Sequence, residues 1–374
     1  MRGAQSDRSA AGGKPVKNRT AGQGVLALDA AARAAVVHAP GLCARAAACL
    51  ADLERRPGTP GYDAVCEALR AALPEVDERK RRRWCRAYWR ARYRSWVEHR
   101  LLENLSGPDL RYHVAARVAM EGREHLDAGL DGREPVVVFT PHFGSFLVAT
   151  LRVALEARGR KQLFLFYDPP ELNHYSTTMR GIFDRMAVGA ESVFNNRAGL
   201  IKVSKGLARG GVLGLMPDVS RWEPSALFVP FFGRFEVFMA GTAFFALRFG
   251  ASLLPVYCRP VGRGRFRLEV DPPLAVSGNA PTADALFETT AAIARNMETH
   301  IRRAPEQWVY WPRFGSQTEG AVPLPAEPGG WEAAVTSLRE RFQSRSPALG
   351  ALLACLERQL AEAASRSESR QEPA

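Results

Sequence analysis

The sequence lacks the residue patterns that mark disulfide-rich, zinc-binding and nucleotide-binding proteins. It has six cysteines in 374 residues, and none forms a Cys-x-x-Cys pair or has zinc-finger spacing with a histidine. The seven histidines show no metal-ligand spacing, so we expect no metal ion. A Walker-type glycine loop and a dinucleotide-binding fingerprint are also missing, and we expect no cofactor. Scattered cysteines are typical of reduced thiols in a cytoplasmic protein.

A long uncharged apolar run is missing as well. The first 20 residues are polar and lack the apolar segment of a signal peptide. The most apolar early stretch, residues 24–50, carries charged side chains and has Pro40 in its middle, whereas a membrane-spanning helix needs about 20 mostly apolar residues. We therefore expect no transmembrane helix, and two short helices broken at Pro40 instead.

The chain has an excess of positive charge. Lys and Arg number 51 against 39 Asp and Glu, a net charge of +12. Charge of this kind bears on partners rather than on fold, and it fits nucleic acid, an anionic membrane face or an acidic protein. No nucleic-acid recognition motif accompanies the charge, so we expect no nucleic-acid partner.

Residues 79–100 are the most distinctive part of the first hundred, with ten Arg or Lys and one acid. Five aromatic residues recur there at helical spacings and share one face: Trp84, Tyr88, Trp89, Tyr93 and Trp96. One interpretation is a helix that packs its aromatic side chains on the core and leaves its arginines in solvent. The other is an interfacial helix in peripheral contact with an anionic membrane, and both can hold together.

From about residue 135, short apolar runs alternate with helical segments. The pattern predicts strands at residues 136–140, 163–167, 212–216, 226–230, 253–258 and 265–270. It predicts helices at residues 145–158, 195–208, 240–249 and 284–303. Alternation of this kind favours an α/β sheet covered by helices on both faces.

His142 lies between a predicted buried strand and a predicted helix that begins near Ser145. Open α/β sheets bind their ligands beyond the carboxyl ends of the strands. A histidine at that position can take the proton from an attacking hydroxyl or amine near neutral pH; the alternative is a histidine that is merely hydrogen-bonded at a strand end. Gly144 permits a tight turn and the close approach of a substrate, and Ser145 can cap the helix.

The block Val-Val-Val-Phe-Thr-Pro-His142-Phe-Gly-Ser-Phe resembles the one around the catalytic histidine of the lysophospholipid acyltransferase superfamily. It is most similar to the lipid A lauroyl/myristoyl acyltransferase branch, and the resemblance covers about residues 95 to 316. Further blocks follow in that family's order: Asn196-Arg197, the glycine-rich residues 207–218 that end in Asp218, Phe231-Phe232-Gly233, residues 241–255 and residues 297–308.

The chain departs from this family's signature at one position. The family places Asp or Glu five residues after its histidine, and this chain has Leu147. That acid orients the imidazole, and losing the equivalent aspartate of a serine-protease triad costs about 10⁴-fold in turnover. Asp218, which also follows a predicted strand, is the substitute we expect to act with His142. Shifted chemistry or lost catalysis are the alternatives.

The resemblance also implies roles in substrate binding. Arg180 aligns with an arginine near the family's active site and is expected to stabilise negative charge on the thioester oxygen, an effect worth about 3–4 kcal/mol. Arg197 is expected to bind a phosphate of the acceptor or of a pantetheine arm. A surface position is the alternative for both. Phe231, Phe232 and Gly233 belong to the core or to an acyl-chain groove.

The resemblance implies a glycerolipid-acyltransferase-like mixed α/β sheet flanked by helices, with helical extensions at both ends. We expect a disordered tail at residues 1–22, a helical region at 23–100, the acyltransferase domain at 101–318, and a linker with a C-terminal helix at 319–374.

The implied activity is transfer of a fatty acyl group from an acyl carrier protein or coenzyme A thioester. The expected acceptor is a hydroxyl or amine of a lipid or of a specialised metabolite. The alternative from another class is a non-catalytic acyl- or lipid-binding protein on the same fold, which Leu147 favours. Retention of His142 and Asp218 argues against that alternative.

Overall fold

The structure, a computed structural model, describes residues 34–218, 226–276, 278 and 280–314. The predicted tail at residues 1–22, and the predicted linker and C-terminal helix at residues 319–374, lie outside the described residues. The first part of the predicted helical segment before Pro40 lies outside them too.

The described chain alternates helices and strands. The helices are α1 (Pro40–Glu54), α2 (Pro60–Ala72), α3 (Glu78–Asn104), α4 (Gly107–Arg117), α5 (Arg123–Asp131), α6 (Phe146–Ala157), α7 (Tyr175–Met186), α8 (Arg197–Leu207), α9 (Gly241–Phe249) and α10 (Ala283–Arg303). The strands are β1 (Val118–Glu121), β2 (Val136–Phe139), β3 (Leu163–Tyr167), β4 (Glu191–Phe194), β5 (Val212–Leu215), β6 (Ala226–Phe231), β7 (Arg234–Met239), β8 (Ser252–Gly262) and β9 (Arg265–Val270). Two 3₁₀ turns follow α10, at Pro305–Gln307 and Trp311–Arg313.

Seven strands form one mixed sheet in the order β1-β9-β8-β2-β5-β3-β4. The five strands from β8 to β4 are parallel, and β9 and β1 run in the opposite direction at one edge. The predicted α/β class is therefore confirmed, and all six predicted strands are present. One of them, β6, pairs instead with β7 in a separate antiparallel hairpin.

The centre of the sheet is buried on both faces. Alternate residues of a strand point to opposite sides, and β2 shows this directly. Val137 and Phe139 join the core that contains α2, α10 and the β6–β7 hairpin. Val136 and Val138 join the core on the other face, under α4 to α7. Both faces are covered, so a site can form at the carboxyl ends of the parallel strands. We call this end of the sheet its open edge.

Helix α3 connects the N-terminal helices to this edge. Asp77 caps it by accepting a hydrogen bond from the backbone N–H of Lys80 at 2.8 Å, and the helix continues to Asn104. The predicted division at residue 100 falls inside α3, and the division itself stays a prediction. Tyr88 is buried and donates from its hydroxyl to the Val309 carbonyl at 2.8 Å. This bond fixes the helix against the segment after α10.

The aromatic face of α3 is mostly a packing face. Trp84 and Trp89 pack on the same core as Tyr88, and Tyr93 packs against α1, while the side chain of Trp96 is half exposed. Within the described part of the chain, no helix combines the length and apolar composition that crossing a membrane requires.

Candidate active site

His142 and Asp218 meet at the open edge of the sheet. His142 follows β2 and Asp218 follows β5, and these strands are paired in parallel register. Their carboxyl ends therefore lie side by side. The ring Nδ1 of His142 is 2.8 Å from Asp218 Oδ1, and the backbone N–H of His142 donates to Oδ2 at 2.8 Å. The structure thus places the expected substitute acid directly on the histidine.

Asp218 is held from a third direction by Trp308. The indole Nε1–H donates to Asp218 Oδ2 at 3.1 Å, and the Asp218 side chain is only 1% exposed. With Oδ2 occupied by two donors, Oδ1 is directed at the imidazole. A carboxylate facing Nδ1 favours the tautomer with its proton on Nδ1. Nε2 is then the ring nitrogen that can accept a proton.

The loop from His142 to Ser145 is fixed by backbone hydrogen bonds on both sides. The His142 carbonyl accepts from Val309 N–H at 2.9 Å, and Gly144 N–H donates to the Gln307 carbonyl at 2.9 Å. Gly144 has φ +55°, and a Cβ there would overlap the Cys258 carbonyl oxygen. Glycine is therefore required by both conformation and space.

Two aromatic rings confine the imidazole of His142. The ring of Phe146 lies 5.0 Å away, and the ring of Tyr310 lies 4.8 Å away, measured between ring centroids. Leu147, at the position where the resemblance implies an acid, is 2% exposed and packs in the core beneath α4 to α7. The site that the local acid would occupy is therefore apolar.

Ser145 stands at the N-cap position of α6, but its side chain does not cap the helix. Its hydroxyl donates instead to Glu98 Oε2 at 2.9 Å, which corrects the capping prediction. The Glu98 carboxyl group is buried, and its Oε1 has no hydrogen-bond partner among the described residues. Burial raises the pKa of Glu98 to about 7, and the hydrogen bond from Ser145 opposes this shift. Glu98 is therefore readily held as the neutral acid.

The neighbouring His99 is shifted in the same sense, toward its neutral form. Burial lowers the pKa of His99 to about 4, and the positive charge of Arg92 adds to the effect. The edge of its ring packs on Phe146 at 5.6 Å between centroids. Two titratable groups of α3 whose pKa values are shifted toward the neutral form thus lie behind the His142 loop.

Two cavities open on His142. One has a volume of about 570 Å³ and is mainly polar, with Arg92, Asp218 and Tyr310 among its lining residues. The other has a volume of about 710 Å³ and an apolar lining. They share His142, Asp168 and Asn173 as lining residues. The apolar lining comes from several elements and includes Val153, Leu165, Phe166, Leu215, Met239, Phe244 and Phe245.

The structure does not bring the two predicted arginines to this site. Arg180 is exposed on α7, with Nε 3.7 Å from the Asp184 carboxylate. Arg197 is exposed at the start of α8. Neither is among the described residues that line the two cavities. Both helices place these side chains on their solvent face, so the surface alternative describes their positions.

The Phe-Phe-Gly turn joins β6 to β7. Phe232 and Gly233 have φ of +50° and +67°, and the Phe232 N–H donates to Glu298 Oε2 at 2.7 Å. Both phenylalanines are buried and pack on Trp308. Phe231 lines the polar cavity and not the apolar one. The turn thus belongs to the core and borders the site on the side of the polar cavity.

Sequence reasoning missed three residues that line the polar cavity: Arg92, Trp308 and Tyr310. Trp308 and Tyr310 lie in and beside the last block that resembles the family. Arg92 had a weaker signal, because it follows Tyr88 by four residues and precedes His99 by seven, which places all three on one face of α3.

A known protein family covers the part of the chain that carries this site. A sequence model described as bacterial lipid A biosynthesis acyltransferase matches residues 29–314, which is more than half of the chain. The matched range includes His142, Asp218 and Trp308. No curated protein matches the chain.

Proposed function

The chain belongs to the bacterial lipid A biosynthesis acyltransferase family, and from that premise we propose the reaction that it performs. It transfers a fatty acyl group from an acyl carrier protein or coenzyme A thioester to a hydroxyl or amine. The acceptor is a lipid or a specialised metabolite. Membership in the family supports an acyltransferase that acts on lipid-like substrates. The observation that carries the finer proposal is the His142–Asp218 pair at the boundary of a polar and an apolar cavity.

His142 is the proposed general base, with Asp218 as its orienting acid. The Nδ1 contact with Asp218 at 2.8 Å leaves Nε2 to take the proton from the acceptor. Asp218 also stabilises the imidazolium that forms. Proton transfer by a positioned group of this kind contributes about 10²- to 10⁴-fold to the rate.

The apolar cavity suits the acyl chain. Its lining is aliphatic and aromatic, and burial of a hydrocarbon is worth about 0.8 kcal/mol for each methylene. The polar cavity suits the acceptor, because its lining offers charged groups, hydroxyls and an amide. A thioester carbonyl at the junction then lies beside His142, which lines both cavities.

The proposed reaction needs no covalent enzyme intermediate. The acceptor oxygen or nitrogen attacks the thioester carbonyl carbon as His142 removes its proton. The tetrahedral intermediate collapses, its carbon–sulfur bond breaks, and the leaving thiolate takes the proton from the imidazolium. The products are the acylated acceptor and the free thiol of the donor, and the base is regenerated.

The non-catalytic alternative rested on Leu147. The contact between Asp218 and His142 supplies the partner that Leu147 cannot provide, and this favours catalysis. Pure binding also has no need of a buried carboxylate that is held by three hydrogen bonds, one of them to the imidazole of His142.

The direct test is thioester consumption. Lauroyl-acyl carrier protein and lauroyl-coenzyme A are each incubated with candidate acceptors, and free thiol and acylated product are measured. The wild type is expected to release thiol with one donor, and His142→Ala is expected to release none above background. His125→Ala, which changes a histidine outside both cavities, is the control and should match the wild type. Equal thiol release by wild type and His142→Ala would overturn the proposal.

The assignment of the apolar cavity has its own test at Gly241, which lines it. A Cβ at Gly241 would meet no atom within 4 Å, so a larger residue is tolerated locally and takes up cavity volume. Gly241→Leu is expected to shift the preferred donor toward shorter acyl chains. The control is Gly41→Leu, which also has open space and lies on α1. An unchanged chain-length profile would contradict the assignment.

A further inference from the structure

Arg92 is a cation of the polar cavity that no described residue neutralises. It is half-buried on α3 and lines the cavity together with His142. Among the described residues, no hydrogen bond or ion pair to its guanidinium is found. The guanidinium of Arg313, in contrast, stacks over the Tyr310 ring at 5.4 Å.

None of the described carboxylates that line the same cavity forms an ion pair with Arg92. Asp218 is bonded to His142 and Trp308, and Glu236 lies 3.7 Å from Arg234. Asp168 lies where the polar and apolar cavities adjoin. The free protein therefore presents a positive charge at the wall of the cavity that His142 also lines.

Helix α3 holds Arg92 at the wall of the polar cavity. Tyr88, Arg92 and His99 share one face of α3. Tyr88 bonds to Val309 at 2.8 Å, and the His99 ring packs on Phe146, so both neighbours of Arg92 on this face touch the elements that hold His142. The charge of Arg92 lowers the pKa of His99, which agrees with the nearness of the two side chains.

We propose that Arg92 binds a phosphate group carried by one of the two substrates. The inference rests on the proposed acyl transfer and adds a substrate feature to it. A guanidinium offers a planar fork of N–H donors that matches phosphate geometry, and its partly desolvated position strengthens the attraction. The phosphate comes from the headgroup of the acceptor or from the pantetheine arm of the donor. Arg197, the residue expected to have this role, is exposed outside both cavities.

Binding to the full-length protein, measured by calorimetry, tests the inference without turnover. Two ligand pairs differ only by a phosphate: S-lauroyl phosphopantetheine with S-lauroyl pantetheine, and 1-lauroylglycerol 3-phosphate with 1-lauroylglycerol. In one pair, the wild type is expected to bind the phosphorylated member more tightly. Arg92→Gln is expected to weaken that binding by about 10- to 100-fold, and Arg92→Lys by less. The pair that responds identifies the source of the phosphate.

The controls separate a phosphate contact from a structural role. The phosphate-free members must bind Arg92→Gln as they bind the wild type, which also shows that the variant is folded. Arg86→Gln removes an exposed arginine of the same helix and should change nothing. The inference is overturned if Arg92→Gln leaves both phosphorylated ligands unaffected, or weakens the phosphate-free ligands equally. Thioester consumption by the wild type is scored separately, so failure of acyl transfer is distinguishable from failure of phosphate binding.

Discussion

Asp218 binds His142 at two nitrogens at once, the backbone N–H and the ring Nδ1, each at 2.8 Å. The first contact fixes where the histidine stands, and the second fixes how its ring is turned. In the proposed reaction, this one carboxylate has the orienting role that the family resemblance implies for a residue five positions after the histidine. Leu147, which occupies that position, is free to pack in the core.

Asp218→Asn is expected to lower kcat by about 10³- to 10⁴-fold, nearly as much as His142→Ala. An amide can present its NH₂ group to Nδ1, which favours the wrong tautomer and leaves no negative charge to stabilise the imidazolium. Steady-state kinetics with a thioester donor measure the effect, with the exposed Asp184→Asn as control. A loss of less than tenfold would contradict the assignment of Asp218.

Restoring the family's local acid is expected to fail. Leu147→Asp places a carboxylate among apolar side chains, and an unpaired buried charge costs about 3–5 kcal/mol. The variant is expected to unfold at a lower denaturant concentration, and it is not expected to recover activity in an Asp218→Asn background. Recovery of activity by the double variant would show that the imidazole can turn to the local acid.

Gly144→Ala is expected to abolish most activity. The added Cβ displaces the loop from the Cys258 carbonyl, and a shift of about 1 Å at a reacting group can cost about 10²-fold in rate. Gly250→Ala is the matched control, because Gly250 also has positive φ but its Cβ would meet nothing within 4 Å. The control should lose about 1–2 kcal/mol of stability and keep its kcat. Equal loss of activity in both variants would contradict the steric explanation.

Glu98 and His99 are expected to give opposite pH dependences of stability. The folded-state pKa of Glu98, about 7, lies above its ordinary value of 4.5. Its contribution to stability is therefore present below pH 4.5 and is lost as the pH rises to about 7, a change of about 3 kcal/mol. The pKa of His99 is lowered from 6.5 to about 4, so its contribution is present above pH 6.5 and is lost as the pH falls to about 4.

In the wild type, the pH dependences of stability that arise from Glu98 and His99 nearly cancel. A substitution at either residue leaves the contribution of the other. Relative to the wild type, Glu98→Gln is expected to become more stable as the pH rises from 4.5 to 7, and His99→Phe to become less stable. Denaturant unfolding at several pH values measures both, with the exposed Glu124→Gln as control. A wild-type-like pH profile for Glu98→Gln would show that the carboxyl group is not held neutral.

Much of the sheet was predictable because short apolar runs in the sequence mark its central strands. The buried run of β2 and the glycine-rich approach to β5 mark where two strands end, and adjacent carboxyl ends bring His142 and Asp218 together. The missed elements carry weaker signals. In β4, a sheet edge, only Val193 is buried, so its sequence shows little apolar pattern. Helix α4 follows its N-cap residue Ser106 and begins with Gly-Pro. In the sequence, this start signal looks like a turn.

The rest of the site could not be read locally. Trp308 lies 90 residues after Asp218 in the sequence, and Arg92 lies 50 residues before His142. Only tertiary packing brings these residues together at the site. Arg180 shows the converse, because an alignment suggested a role and the turn of α7 leaves the side chain in solvent. Residue type and order in the sequence indicate the His142–Asp218 pair. Which residues line the cavities depends on how the helices pack.

The hydrogen bonds between the His142 loop and residues 307–309 have a consequence for the order of events during synthesis. Val309 lies 167 positions after His142, which a ribosome covers in roughly 10 to 30 s. Until that segment emerges, the loop lacks its partners at Gln307 and Val309, and Asp218 lacks Trp308. The nascent chain can therefore complete its sheet before His142 and Asp218 gain these contacts, so the proposed catalytic pair is assembled late in synthesis.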